Sequence, residues 1–105
     1  MSTEAAPVII APEGEIDLHA SQVVKDQLEP VLTEKRPVVI VDLSGVSYVD
    51  SSGLAVFIEA MQRVQAYGGS FALCGLRTNI AQIFSIARLD QVFRIFPDQA
   101  AALTA

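Results

Sequence analysis

Cysteine is nearly absent: Cys74 stands alone. One thiol excludes an intramolecular disulfide and suits a reducing compartment. Tryptophan is missing and aromatics make up only 7% of the chain, so the core must come from Val, Ile, Leu and Ala. Cations are scarce as well. Seven Lys and Arg face twelve Asp and Glu, for a net charge of −5. Nucleic-acid binding draws its affinity from basic side chains on phosphates, and seven scattered cations do not make that footprint. The same shortage disfavours an anionic membrane surface. No apolar run reaches the length of a membrane span. The first residues carry Glu4 and no basic stretch before an apolar core, so no secretory leader is expected, and the protein is expected in the cytoplasm.

What is present is apolar and periodic. Hydrophobic residues make up 51% of the 105 positions, enough for one domain with a real core and too many for a disordered chain. Short strand-like runs alternate with helical patterns, which points to an α/β domain with a largely parallel sheet. Val8–Ile10 is a first apolar run, which Pro12 and Gly14 close or bulge near a sheet edge. Ser21 to Lys35 reads as a helix with Val24, Leu28, Val31 and Leu32 on one face, and Pro30 is expected to bend, break or end it early. Val38–Leu43 is a β-branched run of the kind buried on both faces. Ser44 to Asp50 reads as a loop. Ser52 to Tyr67 forms a second helix, with Leu54, Phe57, Ile58, Met61 and Val64 inward and Gly68-Gly69 at its end. Ser70–Cys74 is a strand, Asn79 to Ala87 a short helix with Thr78 as N-cap, Val92–Phe96 a half-exposed strand, and Asp98 to Leu103 a final helix.

One stretch stands apart. After the strand and loop, Asp50-Ser51-Ser52-Gly53 opens a helix. Asp and Ser suit such a place because their oxygens accept free backbone N–H groups. A cap needs only one of them, however, and an ordinary capped helix explains no more than that. Gly53, just behind, costs about 1 kcal/mol against Ala inside a helix. Close approach of another backbone is one reason to place it there.

The context of that stretch is specific. Asp42-Leu43-Ser44-Gly45-Val46 followed by Asp50-Ser51-Ser52-Gly53-Leu54 resembles the signature of the anti-sigma factor antagonist family, the STAS domains. Gly14-Glu15-Ile16-Asp17 is similar to the family's segment before the first helix. Tyr67-Gly68-Gly69 resembles its Gly-Gly turn, and the Phe84 to Phe93 region its apolar helix and strand ending. The likeness runs in order over roughly residues 8 to 103.

The resemblance implies a single STAS domain over residues 1–105, with 1–7 as a flexible N-terminus and a mixed, mostly parallel sheet of four to five strands flanked by about four helices. It also implies a role. The unphosphorylated protein binds an anti-sigma factor that is itself a serine kinase and so frees a sigma factor. The kinase phosphorylates the Ser that follows the Asp, here Ser51, and a PP2C-type phosphatase reverses the step. Asp17, Asp50, Ser51, Ser52 and Gly53 are the implied partner-facing group. Asp50 could orient the loop, position Ser51 or simply cap, and Asp17 could equally be a solvated loop acid. Family domains also serve as accessory parts of transporters, lipid-trafficking complexes and stress-sensing scaffolds, and the short chain argues against the transporter-fused kind. The family's usual N-terminal hairpin strand looks short or missing here. An open sheet edge would follow, and with it room for a homodimer.

Enzyme chemistry has little footing. There is no Gly-x-Ser-x-Gly elbow, no Gly-rich phosphate loop and no cluster of His and Cys ligands, so no catalytic residue, metal or cofactor is assigned. His19, the only histidine, reads as a cap or surface residue, and Cys74 as a small core residue.

Overall fold

The computed structural model describes residues 6–104. Met1 to Ala5, most of the expected flexible N-terminus, and Ala105 lie outside the described residues. So does most of the stretch that would hold an extra N-terminal strand. Ala6 offers its carbonyl to Arg36 Nη2 at 2.9 Å.

Among the described residues, six strands and four helices follow in the order β1 (Val8–Ile10), β2 (Gly14–Ile16), α1 (Leu18–Thr33), β3 (Val38–Asp42), β4 (Val46–Val49), α2 (Ser51–Ala66), β5 (Ser70–Cys74), α3 (Thr78–Ile86), β6 (Arg94–Phe96) and α4 (Gln99–Leu103), with a 3-10 turn at Leu89–Gln91. Strands β1-β3-β5-β6 form one parallel sheet, and β2 pairs with β4, also in parallel. The α/β reading and the four helices stand. The main sheet has four strands, within the expected four to five, and a second sheet of two strands adds to it.

The division has a local cause. Pro12 and Glu13 interrupt one extended segment, and Ser44 and Gly45 interrupt its neighbour. Gly14 N–H donates to Gly45 O at 2.9 Å, so both chains turn off the main sheet together. The pairing slips between Gly14 and Glu15, which is the bulge the sequence marks. The expected loop over Ser44 to Asp50 is thus corrected. Val46–Val49 is a strand, buried at both ends, whose ladder partner is the short Gly14–Ile16 run.

The core lies chiefly between the sheet and helices α1, α2 and α3. Val39, Val41 and Leu43 of the β3 run meet Leu28, Phe57, Val64 and Phe84 there. The opposite face buries Ile40, Ala72 and Cys74 under Ala102 of α4. Asp42 fixes that corner: its Oδ1 accepts Ser44 N–H at 2.9 Å and its Oδ2 accepts Gln99 Nε2 at 2.6 Å. Partial burial raises the Asp42 carboxyl, but these hydrogen bonds outweigh it and leave the pKa below the usual value. Burial pushes the Cys74 thiol up to about 11, helped by the charges of Asp42 and Asp98, so it sits in the core as an inert thiol.

Pro30 neither breaks α1 nor ends it early, because the helix runs to Thr33. Its ring is on the exposed side of the helix, and the carbonyl left without a donor belongs to exposed Asp26, which water can reach. Pro30→Ala restores one helical hydrogen bond and is expected to raise stability by about 1–2 kcal/mol, less than the full cost of an interior Pro because Pro also restricts the unfolded chain. A melting temperature unchanged or lowered in Pro30→Ala would contradict this account. The start of α3 also differs from expectation. Arg77, not Thr78, holds the N-cap position, and it makes no side-chain cap; its Nε instead donates to Ser44 O at 3.0 Å. Asp98 proves to be the N-cap of α4, accepting Ala101 N–H at 2.9 Å.

Candidate functional site

Two strands that pair in parallel end side by side, and each is followed at once by an acid and a helix. Ile16 of β2 leads to Asp17 and α1. Val49 of β4 leads to Asp50 and α2. Asp50 N–H donates to Ile16 O at 3.1 Å, which holds the two corners together. Positions 17 and 50, far apart in sequence, therefore line one open depression together with Leu18, His19 and Gln22.

Both acids are caps. Asp17 accepts Ala20 N–H at 2.9 Å, so it is more than a solvated loop acid. Asp50 Oδ1 accepts Ser52 N–H at 2.9 Å and Gly53 N–H at 3.2 Å, and the Ser52 hydroxyl donates to the same oxygen. That hydroxyl, followed by the backbone donors, holds the Asp50 carboxyl below its ordinary value against a smaller opposing effect of burial. The two serines are thereby separated in role. Ser52 is half-buried with its hydroxyl committed to Asp50. Ser51, the first residue of α2, is exposed.

Because the folded-state pKa of Asp50 is lowered, its stabilising contribution is present above the unfolded value, about pH 4, and is lost as pH falls through the lower folded value. Asp50→Asn is expected to reduce the acid sensitivity of the melting temperature below about pH 4. Parallel melting curves for wild type and variant down to pH 2 would sink this assignment.

Gly53 is buried, unlike the other members of the implied group. A Cβ built there would lie 2.8 Å from Ile16 Cγ2 and 2.8 Å from Val49 Cγ1. Its place in the site is to seat the first turn of α2 against the ends of β2 and β4, and the approach that calls for glycine is to two packed side chains and the Ile16 carbonyl.

The sequence pattern did not reveal the pairing of the 17 and 50 corners, nor that Leu18, His19 and Gln22 join them. The only signal was that Asp17 and Asp50 each follow an apolar residue, Ile16 and Val49, shortly before a helical pattern. Charge completes the picture. No Lys or Arg occurs in residues 1–24 or 37–62, the segments that build both corners, whereas Glu13, Glu15, Asp17 and Asp50 do.

The sheet order, the two capped corners and the exposed serine agree with a family-level match: the model of the STAS domain fits residues 2–102. The chain belongs to the STAS domain family. Among curated proteins, an anti-sigma-B factor antagonist of Bacillus subtilis is 35% identical over 82 residues, covering 78% of this chain and 74% of the relative. Among solved structures, that of the Thermotoga maritima protein TM1081 superposes with a TM-score of 0.89 at 22% identity, covering 99% of this chain and 88% of that one. The phosphorylated form of the Bacillus cell-fate determinant SpoIIAA superposes with a TM-score of 0.74 at 21% identity, covering 99% and 93%. At those identities the structural likenesses establish the fold of this STAS domain. Among its described residues, no group of three or more His, Cys, Asp or Glu is placed to hold a metal ion, and no helix is long and apolar enough to cross a membrane.

Proposed function

We propose that this STAS domain is an anti-sigma factor antagonist. It works in the cytoplasm as a binding protein rather than as a catalyst. Unphosphorylated, it binds an anti-sigma factor that is a serine kinase and so frees a sigma factor. Phosphorylation of Ser51 by that kinase ends the binding, and a PP2C-type phosphatase restores it. The observation that carries this reading is the exposed Ser51 at the start of α2, beside an Asp50 whose Oδ1 is occupied by Ser52 and Gly53. Such a serine offers a free hydroxyl on a surface that a kinase can cover. The Bacillus subtilis relative, named an anti-sigma-B factor antagonist, supports the same reading.

Asp50, Ser51 and Asp17 are the proposed partner-contacting residues. Ser52 and Gly53 serve by locking Asp50 and seating the helix. The test is to isolate the protein from its native cells with phosphatase inhibitors and map phosphate by intact and peptide mass spectrometry. A single phosphate on Ser51 that varies with growth condition is expected. A phosphate confined to Ser52, or none under any condition with the kinase expressed, would turn the assignment toward a constitutive scaffold.

A further inference from the structure

Beside the acidic depression lies a second, apolar feature. A groove of about 280 Å³ runs between the β1–β2 bend and the outer side of α1, lined by Pro12, Ile16, Ala20, Val23 and Val24. His19 belongs to both the groove and the depression, so the two are continuous. His19 and Val23 lie one helical turn apart on the same side of α1. Val23 is 47% exposed, an apolar side chain in open water.

We infer that this groove receives an apolar side chain of the anti-sigma partner, flanked on that partner by Lys or Arg, and that Val23 is a specificity-determining contact. The inference rests on the function proposed above. Three observations favour this occupant. The groove is lined mainly by apolar side chains, which suits an apolar side chain of a partner. Its surroundings are acidic: Glu13 lines it, Asp17 and Asp50 line the adjoining depression, and no Lys or Arg occurs before Lys25. A cationic partner is drawn to such a face, whereas a second copy meeting it across a two-fold axis would set acid against acid. An anionic membrane is repelled for the same reason. The arrangement of an apolar pocket with a charged border is that of an interface hot spot, where one buried side chain carries much of the binding.

The experiment measures, by calorimetry, the affinity of wild type, Val23→Gln, Val23→Thr, Val23→Leu and Ser51→Asp for the purified, ADP-loaded anti-sigma factor kinase of the same organism. Melting curves check that each variant is folded. Val23→Gln is expected to bind about tenfold more weakly, the effect of losing one apolar hot-spot contact, with Val23→Thr weakened in the same direction and Val23→Leu near wild type. Wild-type affinity is expected to fall as salt is raised. If Val23→Gln and Val23→Thr bind like wild type while Ser51→Asp does not bind, the groove proposal is overturned and the phosphoswitch stands. If wild type itself binds no such kinase, the functional reading falls and this inference with it. Sedimentation of the same samples identifies the other occupant. A wild-type dimer that Val23→Gln separates would make a second copy the ligand of the groove and overturn the proposal.

Discussion

Protein phosphorylated on Ser51 is expected to bind the anti-sigma kinase at least about a hundredfold more weakly than the unmodified form, while melting within a few degrees of it. The two halves of this result have separate causes. At the first position of α2, about two added negative charges meet the positive end of a sixteen-residue helix, which favours them by roughly 0.3–2 kcal/mol. Asp50 next to it opposes this in part, so the net effect on folding is small. In the complex, a kinase competent to modify Ser51 must bring the terminal phosphate of its nucleotide to that hydroxyl. A phosphate already there faces like charge in a desolvated interface, at a cost of several kcal/mol, and about 3 kcal/mol suffices for a hundredfold. Ser51→Ala is expected to bind and to escape switching, and Ser51→Asp to bind poorly. Calorimetric titration with paired melting curves checks both. Equal affinity of Ser51→Ala and Ser51→Asp, or a loss of many degrees on phosphorylation, would refute the mechanism.

The largest effect on stability is expected at Gly53. A Cβ there already falls 2.8 Å from Ile16 Cγ2 and Val49 Cγ1, and 3.3 Å from Ile16 O. Neither side chain can yield easily, because Ile16 and Val49 are packed in the core. Gly53→Ala sets a gain in helix propensity of about 1 kcal/mol against overpacking of roughly 1–3 kcal/mol. Gly53→Val adds two methyl groups and loses the propensity gain. It is expected to destabilise the domain by about 3 kcal/mol, near the upper end of overpacking, which for a domain of this size lowers the melting temperature by more than 10 °C, approximately. The displaced turn carries Ser51, so the variant should also be a poorer kinase substrate. A Gly53→Val protein that melts with wild type would show that α2 is not seated as described.

Much of the architecture is legible in the residues. The β-branched Val38–Leu43 run, the SFALC strand and the stripe of Phe57, Met61 and Val64 announce their elements because burial sets their period. The misjudged places are those where tertiary contact overrides local preference. Pro30 stays within α1 because packing of Leu28 and Leu32 holds the helix on either side while the ring faces solvent. Val46–Val49 becomes a strand only because Gly14–Ile16, whose paired positions lie 32 to 33 residues earlier in the chain, turns with it.

By itself the sequence determined the scarcity of cations around the site, the polar helix opening at Asp50-Ser51-Ser52-Gly53, and the identity of the serine that follows the acid. Those are properties of residue type and short spacing. Only the tertiary structure decided that the two capped corners are neighbours, that Ser52 rather than Ser51 gives its hydroxyl to Asp50, and that Gly53 is filled against rather than exposed. The physical reason is the parallel pairing of β2 with β4. It brings together two helix starts that no local pattern links, and it sets the close packing that only glycine admits.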